Sequence, residues 1–299
     1  MKKHILLTLI SLVFTIKKVQ SQIDFKNSTV GAISYWNKGE KYNYELDINK
    51  FSVKNTDTIV TEHINFDVEV SVLNSSKNSY TMQWLYKNIN YCNYNPSSFL
   101  YKMISTMKGI KIIYKIDEVG NFIEVLNANE IKEYVLKTAK PSNSIETSLL
   151  DIRIKNMYAN KEIIEANSIS YILLFHNFFG SEYKLKEKLK QTVKSKINLD
   201  LDVTVCLEEI NKKEKSYTMS SIQIEDKNQL ANFTFQTMKE LSEKLKLTPP
   251  KREEFNNVSK NITLISKIYE TGWLINSSQI TTIGGQKDTK VERTIIKLK

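Results

Sequence analysis

The sequence contains few cysteines, prolines and glycines, and only one long apolar run. Two Cys in 299 residues exclude a small disulfide-stapled scaffold, and four Pro and eight Gly exclude collagen-like and low-complexity chains. The single apolar run excludes a multi-spanning membrane protein, because each span needs about 20 apolar residues. The remaining composition, with 41% hydrophobic and 25% charged residues, is typical of a soluble globular protein.

Recognisable catalytic motifs are missing as well. The chain has no GxSxG, HExxH, CxxC or GxGxxG motif and no phosphate-binding loop, so the usual nucleophile, metal and dinucleotide sites lack their parts. The positions of His63 and His176 favour a solvated and a buried histidine over a general base. Asp200 and Asp202 share a strand face, which is typical of a solvated pair. We expect no catalytic residue, metal or cofactor, and an enzyme is the least favoured class.

The N-terminus has the pattern of a targeting segment. Met1 to His4 is basic, Ile5 to Ile16 is apolar, and Val19 to Ser21 offers the small residues that a signal peptidase recognises. The alternative is an N-terminal anchor helix, but this apolar run spans too little of a bilayer core about 30 Å thick. We predict a signal peptide over residues 1–21 and an exported protein, periplasmic or extracellular, without a stable transmembrane segment after cleavage.

Part of the positive charge belongs to this segment. Its removal takes away four Lys and no acidic residue, so the formal net charge falls from +10 to about +6. The remaining Lys residues are spread widely, and the aromatic residues are not interleaved with Arg as a base-stacking surface requires. We therefore expect no nucleic-acid partner.

The hydrophobic periodicity changes twice along the chain. Between residues 41 and 126, residues such as Tyr44, Leu46 and Ile48 alternate with polar ones in the period of two that is typical of half-buried antiparallel strands. Residues 128–180 have helical spacing, and the strand pattern resumes at residue 183. The pattern predicts an α+β protein, mainly antiparallel β, with an extended curved, half-barrel-like sheet and a central helical block.

Three short matches indicate an internal duplication. The matches are Asp67-Val-Glu-Val70 with Asp202-Val-Thr-Val205, Ser79-Tyr-Thr-Met82 with Ser216-Tyr-Thr-Met219, and Lys115-Ile-Asp-Glu-Val-Gly120 with Lys267-Ile-Tyr-Glu-Thr-Gly272. They keep their order, and each pair falls on the same kind of predicted element. We predict a duplicated βββαββ unit, and the alternative is a single irregular β-rich domain.

The duplication defines the predicted organisation of the chain. Residues 22–40 form a lead-in, 41–126 the first unit, 127–182 the helical block and 183–299 the second unit, and 41–299 form one domain.

Capping signals predict where several helices begin. Asn95-Pro96 predicts the start of the first unit's helix, and Asn143 with Glu146 is a capping box within the helical block. Asp226 opens the second unit's helix, whose spaced residues are Leu230, Phe233, Thr237, Leu241 and Leu245.

Aromatic residues on the predicted inner strand faces provide the main functional signal. A curved sheet lined by aromatic residues and covered by an apolar helix is a plausible cavity for an apolar ligand, and the alternative is an ordinary core. The residues predicted to line this pocket are Tyr44, Phe66, Trp84, Tyr86, Leu174 and Phe175.

A row of lysines follows the helical block. The alternation over Tyr183 to Lys196 predicts one strand with its lysines on one face, and these residues are Lys184, Lys186, Lys188, Lys190 and Lys194. Such a face, with Lys184 to Lys190 as its contacts, would bind an anionic envelope surface. The favoured alternative is protection of a sheet edge against aggregation.

The two cysteines, Cys92 and Cys206, allow one disulfide in an exported chain. Two unpaired thiols are the alternative, since the two residues lie on different predicted strands.

The order of these features resembles a family of uncharacterised bacterial exported proteins. The resemblance rests on the signal peptide, the opening Trp36-x-Lys38-Gly39-Glu40-x-Tyr42, the central helices and the late Thr271-Gly272-Trp273 turn. It implies no activity for any position. More distantly, the predicted architecture resembles the half-barrel of periplasmic lipoprotein carriers, which shield acyl chains.

Together these features favour a non-enzymatic binding protein that sequesters an apolar or lipid-like ligand or a lipidated partner between the sheet and the 160–180 helix. The alternative is a structural or adhesive envelope protein that binds anionic surfaces.

Overall fold

A computed structural model describes residues 22–54, 57–92, 104–138, 156–195, 197–285 and 288–299. The predicted signal peptide, most of the helix predicted from Asn95, and the capping box at Asn143 lie outside these residues. The strands are β1 Ile23–Asp24, β2 Thr29–Ala32, β3 Lys41–Lys54, β4 Asp57–Ser76, β5 Ser79–Cys92, β6 Lys111–Asp117, β7 Phe122–Val125, β8 Ser181–Lys184, β9 Lys188–Lys194, β10 Asp200–Asn211, β11 Ser216–Glu225, β12 Ser259–Tyr269, β13 Leu274–Gly284 and β14 Thr289–Leu298. The α-helices are α1 Ala128–Thr138, α2 Lys161–Ser168, α3 Ser170–Phe175 and α4 Lys227–Lys244, and a 3-10 helix spans Arg252–Phe255.

The strands form one large and one small antiparallel sheet. The large sheet has eleven strands in the order β7-β6-β5-β4-β3-β14-β13-β12-β11-β10-β9, and the small one has the order β1-β2-β8. The prediction of an α+β protein built on an extended curved antiparallel sheet is confirmed.

The two halves of the large sheet repeat the same pairing. Equivalent pairs are Val72 with Met82 and Leu207 with Met219, then Tyr80 with Ile116 and Tyr217 with Ile268. In the turns that follow, Gly120 N–H donates to Asp117 and Gly272 N–H donates to Tyr269. The second half has one strand more than predicted, because β14 follows β13 and pairs with β3. That pairing joins the halves into one sheet.

The large sheet has one buried and one more exposed face, which we call the inner and outer faces. On β4, Phe66, Val68 and Val70 are buried on the inner face, whereas Asp67 and Glu69 between them lie on the outer face. This alternation follows from the two-residue period of a strand. The inner-face residues form one continuous core with side chains of α1, α2 and α3.

A single phenylalanine reveals how strongly the sheet curves. The β6–β7 and β12–β13 turns lie six strand spacings apart, or about 29 Å along the sheet. A Cβ at Gly120 would nevertheless lie 2.8 Å from Cδ1 of Phe179, and one at Gly272 would lie 3.2 Å from its Cε1. Because both turns approach the same ring, the sheet must coil until these strand ends converge.

The lead-in segment closes the same end of the sheet. Tyr35 N–H donates to the Thr271 carbonyl at 3.2 Å, and the Tyr80 hydroxyl donates to the Ser34 carbonyl at 3.0 Å. Next to these contacts, the ring centroids of Trp36 and Trp273 lie 4.8 Å apart. We call this region, where the two turns and residues 33–36 meet, the closed end.

Cys206 is a free, buried thiol, and the side chain of Cys92, with which the sequence allows a disulfide, lies outside the part of the chain that the structure describes. The Sγ of Cys206 lies 3.7 Å from the carbonyl oxygen of Leu207. Burial is the main cause that raises the pKa of this thiol, and Glu208 adds to the effect.

Candidate functional site

The six residues predicted to line an apolar pocket come together in the first half of the sheet and beneath α3. All six are buried, with exposed fractions between 0% and 6%. The ring centroids of Tyr44 and Phe175 lie 5.4 Å apart, those of Trp84 and Phe175 6.1 Å, and those of Phe66 and Tyr86 5.2 Å. These edge-to-face contacts are those of an ordinary core, which was the alternative interpretation.

Tyr86 also lines a concavity of about 520 Å³ at the sheet surface. The other lining residues are Leu85, Lys87, Ser105, Lys108, Gly109, Tyr134 and Thr138. The Tyr134 hydroxyl donates to the Lys108 carbonyl at 2.5 Å and thereby ties α1 to this surface.

Burial on the inner face decreases along the strands of the second half. Leu207, Met219 and Ile296, near the closed end, are fully buried. Two or three register steps further on, Ile262 is half-buried and Ile283 is 43% exposed. We call this less covered region, opposite the closed end, the open end.

Helix α4 begins at the open end and is fixed there by its first turn. The Asp226 side chain accepts a hydrogen bond from Gln229 N–H at 2.8 Å, the helix N-cap that the sequence predicts. The Gln229 side chain in turn accepts from Asp200 N–H at 2.9 Å, and Leu230 and Ala231 are buried. The start of α4 is therefore held against the sheet.

The rest of α4 exposes its apolar residues. Leu230, Thr234, Leu241 and Leu245 follow helical spacing and share one face, but only Leu230 of these four is buried, and beyond the first turns Ser242 is the one buried residue of the helix. The exposed apolar residues of α4 and the segment after it are Phe233 at 41%, Met238 at 40%, Leu241 at 45%, Leu245 at 58% and Leu247 at 60%. Exposure of so many large apolar side chains in one segment is unusual for a surface helix and is typical of an interaction site.

This helix lies on the inner side of the sheet. On β11, Ser221 and Glu225 of the inner face are 1% and 3% exposed, whereas Ile222 and Ile224 of the outer face are 46% and 44% exposed. Because α4 follows β11 directly and contacts β12, its position explains why only the inner face is covered there. The candidate site is therefore the open end of the inner face, flanked by α4.

Charged and polar groups surround the open end. Lys50 pairs with Glu62 and Lys260 with Glu225, each at 2.6 Å. Among the described residues, Glu225 Oε2 and the Ser221 hydroxyl are buried without a hydrogen-bond partner. Such groups are costly in an apolar surrounding and are satisfied when a polar group approaches.

Tyr171 of α3 lies beside the same charged groups. Burial raises the pKa of its hydroxyl well above the ordinary value, and the carboxylates of Glu292 and Glu62 add to this effect. The hydroxyl therefore stays protonated at neutral pH and remains a hydrogen-bond donor.

The prediction of one continuous strand over Tyr183 to Lys196 is wrong, because two strands and a turn occupy this segment. Lys184 ends β8 in the small sheet, and Lys186 has a φ of +63° in the turn that follows, where it pairs with Glu208 at 3.0 Å. Lys188 and Lys190 lie on β9, on the outer face and exposed. Because β9 is the last strand of the large sheet, their position fits protection of a sheet edge.

The described residues give no sign of a metal centre or a membrane-spanning helix. No group of three or more His, Cys, Asp and Glu residues among them is arranged to hold a metal ion. No α-helix within the described ranges combines the length and the apolarity that crossing a bilayer requires.

Comparisons with known proteins give little further guidance. No protein-family model and no curated protein matches the chain. Among solved structures, the chain is similar to a DUF1329 family protein from Desulfovibrio piger, with 4% identity over 86% of each chain and a TM-score of 0.16. A TM-score of this size does not establish a shared fold.

Sequence reasoning identified α4 but missed its exposure. The spacing of Leu230, Phe233, Leu241 and Leu245 predicts a helix with one apolar face, and such a face is normally buried. The absence of a covering element appears only when the strand order is known, because residues far apart in the chain would have to supply it.

Proposed function

We propose that the chain is an exported, non-enzymatic binding protein that holds an acyl-chain-like ligand between α4 and the open end of the inner face. The observation that carries this proposal is the exposed apolar surface of α4 next to an incompletely covered inner face. In the first half of the sheet, the corresponding space is filled by the aromatic core. The binding site therefore differs from the pocket that the sequence predicts.

The physical basis of binding is the burial of apolar surface. Each Å² of apolar area removed from water contributes about 25 cal/mol, so covering a leucine side chain contributes about 2 kcal/mol. Leu241, Leu245 and Ile283 are all at least 43% exposed. An acyl chain lying along α4 would cover them, and it would favour a position of α4 closer to the sheet.

The polar groups beneath the start of α4 favour an amphiphile over a pure hydrocarbon. The Ser221 hydroxyl can donate a hydrogen bond to a ligand oxygen, and Lys260 supplies a positive charge beside Glu225. A ligand with one apolar chain and one polar head would satisfy both the exposed leucines and these groups.

Titration with a dansyl-labelled undecanoic acid tests the site. We expect saturable binding, and we expect Leu241→Lys combined with Leu245→Lys to weaken it at least about 10-fold, because a charge replaces each apolar contact. The matched control is Leu136→Lys on α1, an exposed leucine at 37% that should leave the affinity unchanged. Equal affinity of the double variant and the unmodified chain, or no binding of the probe, would contradict the proposal.

A further inference from the structure

The inner face of the second half of the sheet is polar near the open end. Residues that pair across neighbouring antiparallel strands lie on the same side of a sheet, so the register gives the rows that cross this face. One row contains Ser221, Leu264, Gln279 and Thr294, on β11 to β14 in turn. The next row towards the open end contains Gln223, Ile262, Thr281 and Glu292. We call these two rows the polar rows, because six of their eight residues are polar.

The same face of the first half has a different character. Its positions on β4 and β5 hold buried apolar side chains such as Val68, Val70 and Trp84, as a core requires. In the second half, Ser221 is 1% exposed, and Glu225, which follows Gln223 on the same strand face, is 3% exposed. Polar side chains that are buried so deeply destabilise a fold unless they are hydrogen-bonded.

Three buried polar groups at the polar rows lack a hydrogen-bond partner among the described residues. They are the Ser221 hydroxyl, Oε2 of Glu225 and Nε2 of Gln191. Gln191 on β9 lies in the same row as Gln223, with Val203 between them. Because buried polar groups in folded proteins are nearly always paired, this cluster indicates a surface that binds a polar group.

These groups require a ligand that both donates and accepts hydrogen bonds. The Gln191 amide nitrogen and the Ser221 hydroxyl can donate to a ligand oxygen. Oε1 of Glu225 accepts from Lys260 at 2.6 Å, so its Oε2 needs a second donor. An ionised carboxylate offers only acceptors, and an ammonium group offers only donors. A hydroxyl offers both.

The charges beside the polar rows do not favour a charged head group. The charged inner-face residues in the row of Gln223 and in the following row are Lys50, Lys260, Lys290, Glu62, Glu225 and Glu292. Three positive charges balance three negative ones, and Lys50 and Lys260 already form ion pairs at 2.6 Å. A charged head group would therefore meet no excess of opposite charge.

We infer that the head group of the ligand is uncharged and carries several hydroxyls, as in a glycoside or an acylglycerol. This inference rests on the proposed ligand site, because the acyl chain would lie along α4 while the head group lies on the polar rows. From β11 to β14 these rows span three strand spacings, or about 14 Å, so several hydroxyls can be bound at once.

The exposure of the polar rows gives the order of contacts. Gln223, Gln279 and Thr281 are half-buried, so a head group that enters from the open end reaches them first. Ser221 and Glu225 flank Gln223 on the same strand face, and contact with them requires a small movement of the first turns of α4.

Displacement of dansyl-labelled undecanoic acid by amphiphiles with a common twelve-carbon chain tests the head group. The amphiphiles are dodecyl maltoside, 1-monolauroylglycerol, dodecanoate and dodecylammonium, each kept below its micelle concentration. We expect at least one of the two uncharged amphiphiles to bind at least about 10-fold more tightly than either charged one, because a charged head leaves donors or acceptors of the site unpaired. The tighter of the two distinguishes a glycoside from an acylglycerol.

The failure of this inference differs from that of the proposed function. If a charged amphiphile binds as tightly as both uncharged ones, the inference on the head group is overturned and the apolar site remains. If none of the four amphiphiles binds, the proposed function is contradicted as well.

Two isosteric variants locate the head group. Thr281→Val removes an inner-face hydroxyl and should weaken the tighter uncharged amphiphile about 5-fold while leaving dodecanoate unchanged. The matched control is Thr263→Val, because Thr263 is also half-buried but lies on the outer face of β12, in register with Ile222.

Ser221→Ala tests the buried hydroxyl. It should weaken the same amphiphile without lowering the free energy of unfolding, because this hydroxyl has no partner within the described residues. If both Thr281→Val and Ser221→Ala bind the uncharged amphiphile as tightly as the unmodified chain does, the head group does not lie on the polar rows and the inference is wrong.

Discussion

Phe179→Ala is expected to lower the free energy of unfolding by about 4 kcal/mol, since truncation of a buried Phe costs about 3 to 5 kcal/mol. Phe179 is 5% exposed, and its ring centroid lies 5.7 Å from that of Trp36 and 5.6 Å from that of His176. It is also the ring on which the turns at Gly120 and Gly272 converge. Its loss removes a contact that joins distant parts of the sheet. Urea denaturation of the variant and the unmodified chain measures the difference.

Phe25→Ala is the matched control, because Phe25 is 38% exposed and its truncation should cost little stability.

Gly120→Ala tests more directly whether Phe179 fixes the β6–β7 turn. The three atoms nearest to an added Cβ all belong to Phe179, and φ is +107°. In the Phe179→Ala background the collision is relieved and only the backbone strain remains, so Gly120→Ala should cost less there. An equal cost in both backgrounds would show that Phe179 does not fix this turn.

Local sequence patterns predicted the main strands well, while the duplicated unit itself stays a prediction. Alternation over Tyr44, Leu46 and Ile48 places these residues on one face, and burial of that face follows from physical chemistry alone. The shared Ser-Tyr-Thr-Met segments correctly predicted equivalent strands, since Tyr80 and Tyr217 pair with equivalent isoleucines.

Local patterns could not predict features that depend on residues far apart in the chain. Alternation across Tyr183 to Lys196 does not reveal that Lys186 adopts a positive φ and turns the chain. Likewise, periodicity shows that Leu241 and Leu245 share a helix face but does not show whether another element covers it. Both outcomes depend on the strand order, which brings together residues far apart in the chain.

The two halves of the sheet differ in the residues that their faces expose. The inner face of the first half is filled by aromatic side chains such as Trp84, and its outer face carries polar pairs such as His63 with Asp47. The second half leaves part of its inner face open and exposes isoleucines on its outer face. The first half therefore supplies more of the sheet's buried side chains than the second half, which carries the surface proposed here for ligand binding.

Acidification is expected to destabilise the protein through His176. This residue is 5% exposed, and the Tyr114 hydroxyl lies 3.1 Å from its Nε2. Its other neighbours are the rings of Trp36, Phe175 and Phe179. Burial in these surroundings lowers the pKa of His176 to about 3, although the backbone of Gly120 partly opposes the shift. The titratable group facing it, Tyr114, has its pKa raised by burial and stays neutral.

The direction of the effect follows from proton binding. Below a pH of about 6.5 the unfolded chain binds a proton at His176, whereas the folded chain does so only near pH 3, so stability falls as the pH decreases between these values. At pH 5 the expected loss is about 2 kcal/mol relative to pH 7. Urea denaturation at both pH values measures it. His176→Phe should remove this loss whatever its own stability at pH 7, while His63→Gln on the outer face should retain it. If His176→Phe shows the same loss as the unmodified chain, another group is responsible for the pH dependence.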